Sequence, residues 1–112
     1  MKIKGDWETR RVWINGKELL PGRSQKIVNH SPDGFNWGYV GSGPAQLALA
    51  ILLRCLSKDE ALSRYQQFKW HVIAKLPQSD FEIEVDSKHK CLVRILGAVG
   101  KMAGKGLRKI LK

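Results

Sequence analysis

The chain has 112 residues, 43% of them apolar, a length and composition that fit one domain able to bury a core without metals or disulfides. It has no apolar run long enough to span a bilayer, and its polar N-terminus, MKIKGDWETRR, lacks the apolar core of a signal peptide, so the expected compartment is the cytoplasm. The net charge of +10 is unevenly placed: residues 1–86 carry 12 basic and 10 acidic side chains, whereas residues 87–112 carry 8 basic and no acidic ones. Charge concentrated in this way favours a polyanionic partner.

In chain order, RRVWINGKELL predicts a hairpin, because Asn15-Gly16 tolerates the positive φ angles of a two-residue turn. QKIVNH then offers a short strand around Ile27 and Val28. SPDGFNWGYVGSG, with four glycines and a proline in 13 residues, reads as a loop. It leads into a helix for which Ser42 is the expected N-cap, with Pro44 in the first turn where its missing N–H is not needed. The run to about Leu56 has only Gln46 and Arg54 as polar residues, which predicts a buried central helix. A second helix begins at Ser57, whose spacing to Glu60 fits a capping box, and ends before Pro77. Its apolar face comprises Ala61, Leu62, Tyr65, Phe68, Val72, Ile73 and Leu76, with Trp70 on the opposite side. FEIEV alternates apolar and acidic residues, as a strand with Glu82 and Glu84 facing out would.

The last segment, KCLVRILGAVGKMAGKGLRKILK, is amphipathic at helical spacing. Leu92, Ile95, Leu96, Val99, Met102, Ala103, Leu107 and Ile110 fall in one sector. Lys90, Arg94, Lys101, Lys105, Arg108, Lys109 and Lys112 fall opposite. The expected architecture is α+β: a small antiparallel sheet packed on a buried central helix, a second amphipathic helix, and a basic amphipathic C-terminal helix. The expected division is an α+β domain over 1–88 and the basic helix over 89–112. Cys55 and Cys91 are expected to be free, buried thiols, having neither a CxxC partner nor a His at metal-ligand spacing.

Several residues have both a functional and a structural reading. Gly41, Ser42 and Gly43 at a helix N-terminus form an anion site in one reading and merely shape the loop in the other; the stretch lacks the Lys of a phosphate-binding loop. Phe35, Trp37 and Tyr39 either stack on a nucleobase or plug the core. His30 and Asp33 supply acid–base or hydrogen-bonding groups, or fasten turns. Trp70 is an interface anchor or is covered by the tail. The tail itself tracks phosphates, packs against the domain, or lies on an anionic membrane. No nucleophile–base arrangement, paired carboxylates, metal ligands or cofactor motif stands out, so a non-enzymatic binding protein is expected.

The stretch NHSPDGFNWGYVGSGPAQLALAILL resembles a small prokaryotic family of unknown function whose members share the core NHSPxGFxWGYxGSGPAQLALAIL. Its members occur in bacteria and archaea, often in phages and other mobile elements. Here Asn29–Pro32, Gly34, Phe35, Trp37–Tyr39 and Gly41–Leu49 carry the likeness, and Val40 stands where the family more often has Gly. RYQQFKWHVIAKLP extends it, so that it covers roughly residues 10 to 85. The resemblance implies a shared fold and no stated activity, and it favours a phage or mobile-element origin; small accessory proteins of that origin often counter host defences, so an anti-defence, anti-CRISPR-like role is expected. The expected partner is nucleic acid or a host nucleoprotein. A nucleotide or other phosphorylated small ligand at the helix start is the alternative, followed by an anionic membrane.

Overall fold

The computed structural model describes residues 1–86 with their side chains, and the backbone of residues 92–95 and 107–108. The chain separates into two compact units: Leu20–Leu76 forms one, and the segments on either side of it, Met1–Leu19 and Pro77–Lys112, form the other. Strands in the one and helices in the other make the α+β class expected from the sequence.

The flanking segments build a sheet. Its strands are β1 (Lys2–Gly5), β2 (Val12–Ile14), β3 (Lys17–Leu19), β4 (Phe81–Asp86), β5 (Leu92–Ile95) and β6 (Leu107–Arg108). Among the described residues they lie in the order β3-β2-β1-β4-β5-β6, and every neighbouring pair is antiparallel. The β2–β3 turn is the Asn15-Gly16 pair, with φ of 51° and 84°, the left-handed geometry that such a tight hairpin requires. Alternation then sorts the side chains. Ile14, Ile3 and Ile83 share one buried row; Leu19, Val12, Gly5 and Phe81 share the next, where the Phe81 ring covers the space above Gly5. The other face alternates in sign: Glu18, Trp13, Lys4 and Glu82 share a row, and Lys2 stands opposite Glu84. Lys2 Nζ lies 3.6 Å from Glu82, and Arg11 donates two hydrogen bonds, of 3.0 and 2.8 Å, to Glu18. The hydrogen bond first, then the guanidinium charge, holds the Glu18 carboxyl below its ordinary range.

The central unit is helical. Helix α1 spans Gly22–Ile27, α2 spans Ser42–Leu52, α3 spans Lys58–His71, and a 3-10 turn follows at Ile73–Lys75. Helices α1 and α3 and the 3-10 turn pack against α2. All ten residues from Gly43 to Leu52 are buried, as an almost wholly apolar helix must be. Ser57 caps α3 by accepting a hydrogen bond from Glu60 N at 3.2 Å; of the apolar face predicted there, Ala61, Tyr65 and Phe68 are buried and Leu62 half-buried, while Val72, Ile73 and Leu76 are buried beyond the helix end at His71.

Four expectations are corrected. The short strand around Ile27 and Val28 is instead helix α1 and its extended C-cap, because Pro21 has a helical backbone and Ser24 and Gln25 bond back to its carbonyl. Ser42 is the first helical residue and not the cap; Gly41 occupies the cap position with no side-chain bond. Helix α2 stops at Leu52, since Leu53–Cys55 must turn the chain into the cap of α3. Cys55, expected to be a buried thiol, lies in this turn and is half-buried, with its Sγ 3.9 Å from the Ile51 carbonyl.

The C-terminal helix meets a further correction where the structure describes it: Leu92–Ile95 and Leu107–Arg108 are strands. Val93 and Ile95 are β-branched, and interior glycines weaken a helix by about 1 kcal/mol each. Strand β5 satisfies the outer edge of β4, which would otherwise present unpaired N–H and C=O groups. The rest of the expected helix, with Cys91, lies outside the described residues.

Candidate functional site

The candidate residues of the central unit gather around one buried amide. Gln46 projects from α2 with no exposure; with Ser24 it makes up the buried polar side chains among the described residues. A buried amide has two donor and two acceptor positions to satisfy. Its Oε1 accepts from His30 N at 2.7 Å and from Ser31 N at 3.0 Å. Its Nε2 donates to Ser24 Oγ at 2.8 Å and to the Val28 carbonyl at 3.1 Å. Ser24 passes its own proton to the Pro21 carbonyl at 2.8 Å. One side chain thus ties the end of α1 and the start of the His-Ser-Pro segment to the central helix.

The remaining loop residues follow from that anchorage. His30 Nε2 and Tyr65 Oη are 2.7 Å apart, so the imidazole is held to α3. Gln25 Nε2 donates to the Ser31 carbonyl at 2.8 Å, and Gly34 N closes a turn onto the same carbonyl at 3.2 Å, with Pro32 at the position that favours its φ. Asp33 sits exposed in this turn. Phe35 and Trp37 are buried, which settles them as core residues. Tyr39 does not join them, because Gly38, at φ 85°, redirects the chain and donates its N–H to the Ile73 carbonyl at 3.0 Å. Tyr39 is 41% exposed.

The glycines before α2 are explained by close contacts. A Cβ on Gly43 would lie 2.6 Å from Asn36 Cβ and 3.2 Å from Asn36 N, so the loop backbone itself occupies that space. A Cβ on Gly41 would lie 2.6 Å from the Tyr39 ring. The first turn of α2 thus packs closely against Asn36 at Gly43. Among the described residues no group of three or more His, Cys, Asp or Glu is placed to hold a metal ion. No helix of the described residues is long and apolar enough to cross a membrane.

Of the cationic candidates, the strand register describes Arg94 and Arg108. Arg94 lies opposite Glu84 and Leu107, and Arg108 lies opposite Val93, in the row of Val85. A shared helical face had been expected for them; in the sheet they occupy different rows. Lys90, Lys101, Lys105, Lys109 and Lys112 lie outside the described residues.

The loop fastened by Gln46 and strands β2, β3 and β4 fall inside a family match that runs over residues 3–94. The chain belongs to DUF6166, a family of unknown function. No curated protein and no solved structure matches the chain. The DUF6166 match is wider than the likeness seen in the core motif: it takes in most of β1 at one end and most of β5 at the other. Lys101, Lys105, Arg108, Lys109 and Lys112 lie beyond it. Sequence reasoning missed Gln46, Ser24 and Tyr65. The available signal was the lone amide in an apolar helix, which had to find partners.

Proposed function

We propose that this DUF6166 member is a non-enzymatic binding protein for nucleic acid, free or within a host nucleoprotein, and that its cationic C-terminal segment meets the phosphates. The observation that carries this reading is the segment's composition, eight basic and no acidic side chains over residues 87–112. Cations that meet a nucleic acid release its condensed counterions and gain affinity in proportion to the phosphates they neutralise. The likeness of the Asn29–Leu52 core to a family carried by phages and other mobile elements supports an accessory, anti-defence role. In that role the protein occludes its host target by charge complementarity. A nucleotide at the start of α2 gains no support from the glycines there, because Gly43 already accommodates Asn36.

The test is the salt dependence of binding by the full chain. With six or more phosphate contacts, affinity for a duplex or single strand falls by about three orders of magnitude or more between about 50 and 200 mM salt. Changing Lys101, Lys105, Lys109 and Lys112 together to Gln lowers the log–log slope by about 0.7–0.9 for each lysine that meets a phosphate. No binding at low salt, or a slope untouched by the four changes, overturns the proposal. Capture of anionic vesicles without capture of nucleic acid replaces it with the membrane reading.

A further inference from the structure

Within the central unit, Tyr39, Val40 and Trp70 are large apolar side chains left 41%, 45% and 54% exposed. The bond from Gly38 N to the Ile73 carbonyl joins the loop that bears Tyr39 and Val40 to the end of α3 that bears Trp70. Tyr39 adjoins Gly38, and Trp70 is one helical turn before Ile73, so the two Cα atoms are within about 15 Å of each other.

The sequence on either side of these residues is predominantly basic. The sequence from Gly34 to Lys58 and from Ala61 to Ser79 contains no Asp or Glu, but contains Arg54, Lys58, Arg64, Lys69 and Lys75. Lys69 Nζ lies 5.5 Å from the centre of the Trp70 ring, and Lys75 is exposed. The acids of α3, Asp59 and Glu60, are in its first turn, about 15 Å along the axis from Trp70. An exposed indole with an ammonium group beside it, and a second exposed ring within reach, suit a chain that alternates bases with phosphates. A protein partner of ordinary size would instead need a continuous patch of roughly 800 Å².

We propose that this end of the central unit is a stacking platform for single-stranded nucleic acid, with one base on the Trp70 indole, another on Tyr39, and the intervening phosphates met by Lys69 and Lys75. The inference rests on nucleic acid being the ligand and adds which form is preferred and where its bases lie. Duplex bases are already stacked on one another and cannot use the platform.

The experiment compares a short oligothymidylate with a duplex on the full chain, as wild type, Trp70→Ala and Trp70→Phe. Trp70 is exposed, so both variants retain the fold, which circular dichroism verifies. Trp70→Ala weakens oligothymidylate binding roughly 5- to 150-fold and leaves duplex binding unchanged. Trp70→Phe keeps most of the affinity, as loss of a mere surface contact would not require. If the wild type binds both forms and Trp70→Ala alters neither, the platform is refuted while phosphate binding by the tail stands. If the wild type binds no nucleic acid, both proposals fall. If Trp70→Ala abolishes binding of polyglutamate but spares oligothymidylate, the surface is a dock for acidic protein and the inference is overturned.

Discussion

A single side chain, Gln46, decides how the loop of the core motif is held. Each of its four hydrogen-bonding positions has a partner, and those partners are the backbone or side chain of residues 15 to 22 positions away in sequence. Exchange for an apolar residue of similar volume leaves the packing roughly intact but strands the Val28 carbonyl and the His30 and Ser31 amides, and leaves Ser24 Oγ only its bond to the Pro21 carbonyl. Each abandoned buried group costs about 1–3 kcal/mol, and relaxation toward water relieves part of the sum. Gln46→Leu is therefore expected to destabilise the protein by about 2–4 kcal/mol, read as a lower urea midpoint at an unchanged slope. Ser24→Ala, which removes one partner only, costs about 1 kcal/mol, and the double variant costs less than the two added. A midpoint for Gln46→Leu equal to wild type shows that the loop is held by something else. The sequence discloses that this amide needs partners, because it interrupts an apolar run. It cannot disclose which, because they come from segments brought near only by folding.

Elements whose signals are local were legible, and those whose signals are not were misread. Asn15-Gly16 makes its turn from its own φ angles, and Ser57 caps α3 with a residue three positions on, so both could be read directly. Ile27 and Val28 by themselves suggest a strand, yet they end helix α1, because Pro21 and Ser24 before them start it. The tail misled for the opposite reason. Its helical spacing is real as a pattern, yet Leu92–Ile95 answers to the unpaired edge of β4, which no local pattern reports. The start of α2 offers a test between local preference and close approach. Helix propensity alone makes Gly43→Ala stabilising by about 1 kcal/mol. The added Cβ would meet the Asn36 backbone, and forcing such a contact in a packed site typically costs 1–3 kcal/mol. The expected result is net destabilisation, with a lower thermal midpoint than wild type. A higher midpoint would mean that the loop yields easily, and that the glycine at 43 has a use other than admitting Asn36.

For the molecule as a whole, the C-terminal segment carries two roles that a truncation confounds. It supplies eight of the basic side chains, leaving residues 1–86 with 12 basic and 10 acidic groups, a net charge of only +2. It also supplies β5, which pairs with β4 from Ile83 to Asp86 and covers that edge of the sheet. Removal of residues 87–112 therefore strips the charge proposed to bind nucleic acid and bares an edge strand with buried Ile83 and Val85 behind it. The truncated protein is expected to melt lower by several degrees, on the order of 5 °C per kcal/mol lost in a domain of this size. It should also aggregate near neutral pH, where little net charge remains to keep it dispersed. The full chain with Lys101, Lys105, Lys109 and Lys112 changed to Gln keeps Leu92–Ile95 and so should keep its melting temperature while losing affinity. Hydrogen exchange distinguishes the two variants at single strands: the β4 amides that face β5 exchange faster in the truncation and remain protected in the neutralised chain. If the neutralised chain loses its protection as well, the lysines are needed for folding, and their loss of affinity is no measure of contact with phosphate.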